Sequence, residues 1–167
     1  MAIIGRIMLL LLMILWCVNL FSSEPWIFID FFNLALHELG HLVFSPFGEF
    51  MGFLGGTIGQ LIFPVVFLIA FIRKSDRTGT GFALFWLGEN LVNIGRYMSD
   101  ARARVLPLLV DGSTHDWWWL FGKLDLLEYD RVIGSSVRNG GLALCILAIC
   151  LIAVDLVSVL ATRFRSP

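Results

Sequence analysis

Apolar runs separated by short charged clusters are what most restrict the folds open to this 167-residue chain. Residues 2–21 are almost unbroken Leu, Ile and Met. At 1.5 Å per helical residue, such a run crosses a ~30 Å hydrocarbon core, where each backbone N–H and C=O must be bonded within the protein. A helix meets that demand inside a single segment. Further runs cover residues 26–44, 52–72 and 141–160, and a more polar one covers 82–98. The expected fold class is therefore all-α: a polytopic membrane helix bundle of about five spans in a single domain, residues 1–167, with no repeat or linker dividing it. Composition agrees, since 58% of residues are hydrophobic and mean hydropathy is +0.85. Soluble domains are nearer ~45–50% apolar. A net charge of -1 gives no basic excess, so the lipid bilayer is the expected partner and nucleic acid is not.

The second run contains His37-Glu38-Leu39-Gly40-His41. Residues four apart share a helix face, so His37 and His41 can reach one metal ion while Glu38 reaches a water bound to it. Zn2+ in such a site lowers the pKa of its water towards ~7, and Glu38 is the expected catalytic base. The extended metzincin pattern is excluded, because Phe44 and Phe47 stand where it needs glycine and histidine. A catalytic zinc has three protein ligands and one open position. Threading the spans alternately brings His41, Asp100, Asp111, His115 and Asp116 to one membrane face. His115, the remaining histidine of three, is the expected third ligand, with Asp111, Asp116 and Asp100 as alternatives. Against this, His115 also reads as an exposed residue in the first turn of a helix, and Asp116 as the partner of Ser113 in a capping box.

Other residues carry weaker signals. Asp30, Asn33, His37 and His41 form a polar stripe, so Asp30 or Asn33 is positioned to hold the second nitrogen of a ligand histidine. Glycines 48, 52, 55, 56 and 59 suit tight helix packing or a loop beside the metal. Glu89, Asn93, Arg96 and Asp100 share a face of the fourth span, where Glu89 and Arg96 are expected to pair. Trp117-Trp118-Trp119 suits the headgroup region, which predicts an interfacial helix over 116–127. Asp155 lies in the last span without an obvious partner. Cys17, Cys145 and Cys150 show no paired spacing and read as small packing residues. The flank of the first run, Asn19 to Pro25, lacks a cleavage pattern, so that run is expected to remain as an anchor.

At His37-Glu38-Leu39-Gly40-His41, within a membrane span and followed by a glycine-rich turn, the chain resembles the site-2 protease family of intramembrane zinc metalloproteases. It is most similar to their small, core-only bacterial members. The resemblance implies that His37 and His41 bind zinc, that Glu38 is the general base, and that the protein resides in a bacterial inner (plasma) membrane. The family's third ligand is an aspartate in a Leu-Asp-Gly motif; the nearest match here is Leu109-Val110-Asp111-Gly112, with valine interposed and the family's upstream Asn-Pro pattern missing.

The function expected from these residues is hydrolysis of a peptide bond in or near a transmembrane segment of a membrane-protein substrate. The alternative is a non-proteolytic zinc-binding scaffold or adaptor, which four protein ligands would favour. A transporter built on the Glu89-Arg96-Asp100 stripe is disfavoured by the lack of an inverted repeat. The distribution of Lys and Arg between loops favours an internal N-terminus with zinc on the cytoplasmic side.

Overall fold

A computed structural model describes residues 3–22, 27–109 and 114–165. Within them the chain forms α1 (Ile3–Asn19), α2 (Ile29–Phe44), α3 (Glu49–Arg73), α4 (Arg77–Ser99), α5 (Asp116–Lys123) and α6 (Asp130–Arg165). Two 3-10 turns, Ser45–Phe47 and Leu127–Tyr129, complete the described secondary structure. The protein is all-α. Each of the five apolar segments corresponds to one helix, α1 and α2 being shorter than the expected runs, but among the described residues only two stretches, Glu49–Arg73 and Leu127–Arg163, are long and apolar enough to cross a membrane by length and composition. The apolar α1 is shorter.

Two boundaries differ from the sequence expectation. α3 starts at Glu49, three residues before the expected run, and of the two readings of its glycines, packing or a loop, packing is the one observed. A Cβ on Gly40 would lie 2.1 Å from the Gly55 carbonyl oxygen, and one on Gly59 would lie 2.4 Å from that of Leu36. α2 and α3 thus touch through their backbones. At the other end, α6 begins at Asp130, eleven residues before the expected span. Its 36 residues are ~54 Å long at 1.5 Å each, well beyond a ~30 Å core. The polar first turns pack on α4 instead.

α4 and α6 are the most extensively paired helices. Gly81, Gly88 and Gly95 recur every seven residues on α4, opposite Gly134 and Gly141 on α6. A Cβ on Gly95 would lie 2.4 Å from Arg138 N, and one on Gly88 would lie 2.7 Å from the Gly141 oxygen. Backbone cannot yield as a side-chain tip can, so Gly95→Val is expected to cost about 3 kcal/mol. Loss of the folded band in a detergent thermal-shift measurement checks it; an unchanged midpoint would contradict this crossing.

The core has two parts. Met13 and Cys17 of α1, with Leu20 just beyond it, pack with Phe85 and Val92 of α4 and Leu142, Cys145, Ala148 and Ile152 of α6. Cys17 and Cys145 are thus packing residues, whereas Cys150 is exposed. Asp155 has partners after all: its Oδ2 accepts from Arg6 Nε and Thr78 Oγ1, both at 2.9 Å, tying α6 to α1 and α4. The second core joins Ile94, Met98 and Ala101 to Trp117, Leu120 and Phe121 of α5. The tryptophans are therefore not a surface anchor as a set. Trp117 is buried, Trp119 stacks on Phe53 of α3 at 4.4 Å, and Trp118 is the one most exposed, beneath Arg104. These contacts dock α5 against α3 and α4, and so fix where its first residue points.

Candidate metal centre

His37 and His41 lie one turn apart on α2 and aim the same edge of their rings at one point. His37 Nδ1 is 3.1 Å from Gln60 Oε1, and His41 Nδ1 is 2.8 Å from the carbonyl oxygen of Gly52. A carbonyl only accepts, so His41 Nδ1 carries the proton, and Gln60 Oε1 sets the same tautomer on His37. Both Nε2 atoms then present lone pairs. They converge on Asp116 Oδ2, at 3.0 Å from His37 and 3.4 Å from His41. Asp116 is the first residue of α5, placed by the packing just described.

Three lone-pair donors meeting in a largely buried site repel one another unless a cation or proton lies between them. Ligands at ~2.0–2.1 Å from a tetrahedral zinc are ~3.3 Å apart, which the Nε2–Oδ2 separations match. One donor atom from each of His37, His41 and Asp116 lies within 4.8 Å of the others. Gly56 keeps the space open. A Cβ there would lie 2.5 Å from His37 Nε2 and 2.7 Å from His41 Nε2, so any larger residue would enter the space facing both nitrogens. The donor set, its spacing and this glycine fit a divalent metal.

Burial pushes the Asp116 carboxyl up, but positive charge shared with the facing His37 and His41 rings, which a bound metal would supply in place of a proton, outweighs burial and holds it below the ordinary aspartate range. It is ionised, as a ligand must be.

The structure brings Asp116, and not His115, to the histidine pair. His115 caps α5: its Nδ1 accepts the Trp118 N–H at 3.2 Å, and its ring lies 4.0 Å from that of Tyr97. It is 3% exposed, not a solvent-facing residue. Burial pushes this imidazole below its ordinary pKa, with Asp100 opposing, in keeping with the unprotonated Nδ1 that capping requires. Asp100 is likewise occupied elsewhere, accepting the N–H groups of Val105 and Leu106 at 3.0 Å each. Asp111 and Ser113 lie outside the described residues.

The second-nitrogen partners also differ from expectation. Gln60 and Gly52 fill that role, while Asp30 and Asn33 join α2 to α4. Asn33 donates to Glu89 at 2.7 Å and accepts from Trp86 Nε1 at 2.8 Å; Asn93 donates to both Asp30 and Glu89. Glu89 is thus held by Asn33, Asn90 and Asn93. Losing an outer hydrogen-bond partner of a ligand histidine typically lowers metal affinity ~10–100-fold. Gln60→Leu is expected to do so, and Gln60→Glu to restore binding, by competition with a chromogenic chelator.

A cavity of about 1030 Å³ opens over the centre. Glu38, His37, His41, Asp116 and Tyr97 line it, with the irregular segment Val105–Leu109 along one side. Comparison with protein-family models, curated proteins and solved structures finds no match to the chain.

Proposed function

We propose that the protein is an integral membrane zinc metallopeptidase, resembling the site-2 proteases, that hydrolyses a peptide bond in or near a transmembrane segment of a substrate protein. The observation that carries this reading is the convergence of His37 Nε2, His41 Nε2 and Asp116 Oδ2 on a glycine-lined space, with Glu38 on the wall of the same cavity. The three donors found among the described residues leave one coordination position for water or substrate. That favours an enzyme over the closed site of a scaffold.

A membrane setting of five spans suits the surface. Ile4, Phe28, Leu42 and Val154 are each more than 60% exposed on α1, α6 and the α2 region. In water such side chains would drive association; in lipid they need no partner. The bacterial inner membrane is the location that the resemblance suggests.

Bound zinc would polarise the scissile carbonyl and acidify water. His37 and His41 would hold it through Nε2, their rings fixed by Gln60 and Gly52, and Asp116 would supply the anionic ligand. Glu38 takes the proton of the attacking water and gives it to the leaving amine nitrogen. Substrate must unwind to enter, because a helical backbone has its amides already bonded.

The test is cleavage of single-span membrane substrates in detergent or vesicles. Glu38→Gln should retain stoichiometric zinc and lose ~10²–10⁴-fold in turnover. Equal cleavage by both proteins, or none by the wild type with zinc bound, would remove the peptidase reading.

A further inference from the structure

Tyr97 lines the same cavity as the metal-binding side chains and Glu38. Its hydroxyl oxygen accepts the backbone N–H of Asp116 at 3.2 Å, which places the phenol beside the ligand-bearing residue itself. The ring is pinned on two sides, 4.0 Å from that of His115 and edge-on to that of His37 at 6.3 Å. A phenol has one proton to donate and is neutral near pH 7, its ordinary pKa being ~10. Among the described residues no hydrogen bond uses that proton. A fixed O–H donor without an acceptor, in a cavity beside a metal centre, is available to a bound molecule.

We propose that Tyr97 is a catalytic residue that donates its O–H to the carbonyl oxygen of the scissile amide as negative charge develops there. The assignment rests on the hydrolase reading above. Water oxygen bonds to the carbonyl carbon, the carbon–oxygen π pair moves onto the carbonyl oxygen, and the Tyr97 O–H shortens its contact with that charge. The pair then returns, the C–N bond breaks, and the amine departs with the proton relayed by Glu38. Tyr97 keeps its own proton throughout, so its contribution is electrostatic and greatest in the transition state.

The experiment loads detergent-purified wild type and Tyr97→Phe with Co2+ and titrates each with acetohydroxamate, followed by the visible absorption of cobalt. Acetohydroxamate presents a carbonyl oxygen and an oxyanion to a metal, as the reacting amide would. The expected result is equal cobalt affinity and ~10–100-fold weaker acetohydroxamate binding in Tyr97→Phe. Unchanged acetohydroxamate affinity overturns the assignment. So does loss of cobalt, which would make Tyr97 a support for Asp116 only. With a cleaved substrate, Tyr97→Phe should lower kcat ~10²–10³-fold at unchanged KM. Failure of the hydrolase reading looks different: wild type binds no cobalt, or His37→Ala leaves the cobalt spectrum unaltered.

Discussion

Replacing Asp116 with alanine is expected to empty the metal centre, whereas replacing His115 with asparagine leaves it loaded. Asp116 Oδ2 lies 3.0 and 3.4 Å from the two histidine nitrogens and is the one anionic donor of the described set. Without it, two neutral imidazoles remain to hold a dication. The affinity loss should exceed the ~10–100-fold that follows removal of an outer hydrogen-bond partner. His115 contributes differently, through the cap it forms on Trp118 N–H and its contact with Tyr97. Asparagine is among the best capping residues, so His115→Asn keeps α5 in place. It should lose some thermal stability from the missing ring and no zinc. Zinc per chain after dialysis against a weak chelator decides the matter. Full loading of Asp116→Ala with an empty His115→Asn would return the third ligand to the residue that the sequence alone favoured.

The sequence pointed to the neighbour because His115 is the remaining histidine of three and falls in the same loop. The helix start expected at Asp116 is the one observed, with His115 as cap and Asp116 first in the helix. The competing capping-box reading gave Asp116 the job of satisfying the helix's own N–H groups, and the structure gives the capping role to His115. Which of two adjacent polar residues caps is set by tertiary packing, here the seating of Trp117 and Trp119, and residue type does not reveal it. His37 and His41 were legible because their relation is local, four residues on one helix. Gly52 was not, because it acts through a carbonyl that every residue possesses.

The same divide runs through the fold. Helix identity followed from hydrophobic length, and the close contacts at Gly55 and Gly59 from small-residue spacing, though not their facing partner Gly40. The seven-residue recurrence of Gly81, Gly88 and Gly95 was equally open to inspection, and it marks the α4–α6 seam. By contrast, Arg6 and Asp155 are 149 residues apart, and no local rule pairs them. The first turns of α6 escaped because hydropathy detects lipid compatibility, not helicity. Asp130 shows the alternative source of stability, binding Arg102 at 2.8 Å and accepting that residue's backbone N–H.

Gly56→Ala is expected to abolish stoichiometric metal binding without unfolding the protein, and its two effects should have opposite signs. In α3, alanine is intrinsically a better helix former than glycine by ~0.8–1.0 kcal/mol. At the centre, the new methyl would lie 2.5 Å from His37 Nε2, 2.6 Å from its Cε1 and 2.7 Å from His41 Nε2. Those are ring tips, which can move where a backbone cannot, so the helix pair survives by turning the imidazoles away. Movement is what the metal cannot tolerate, since both rings are set by bonds to Gln60 and Gly52 and both must aim at one point. The metal-free protein should therefore melt near the wild-type temperature, while the rise in melting temperature that zinc gives the wild type disappears. A variant that still gains stability from zinc would show that the ion sits away from the Nε2 atoms. One that unfolds without zinc would show that Gly56 is needed for the crossing of α2 and α3, as Gly40 and Gly59 are.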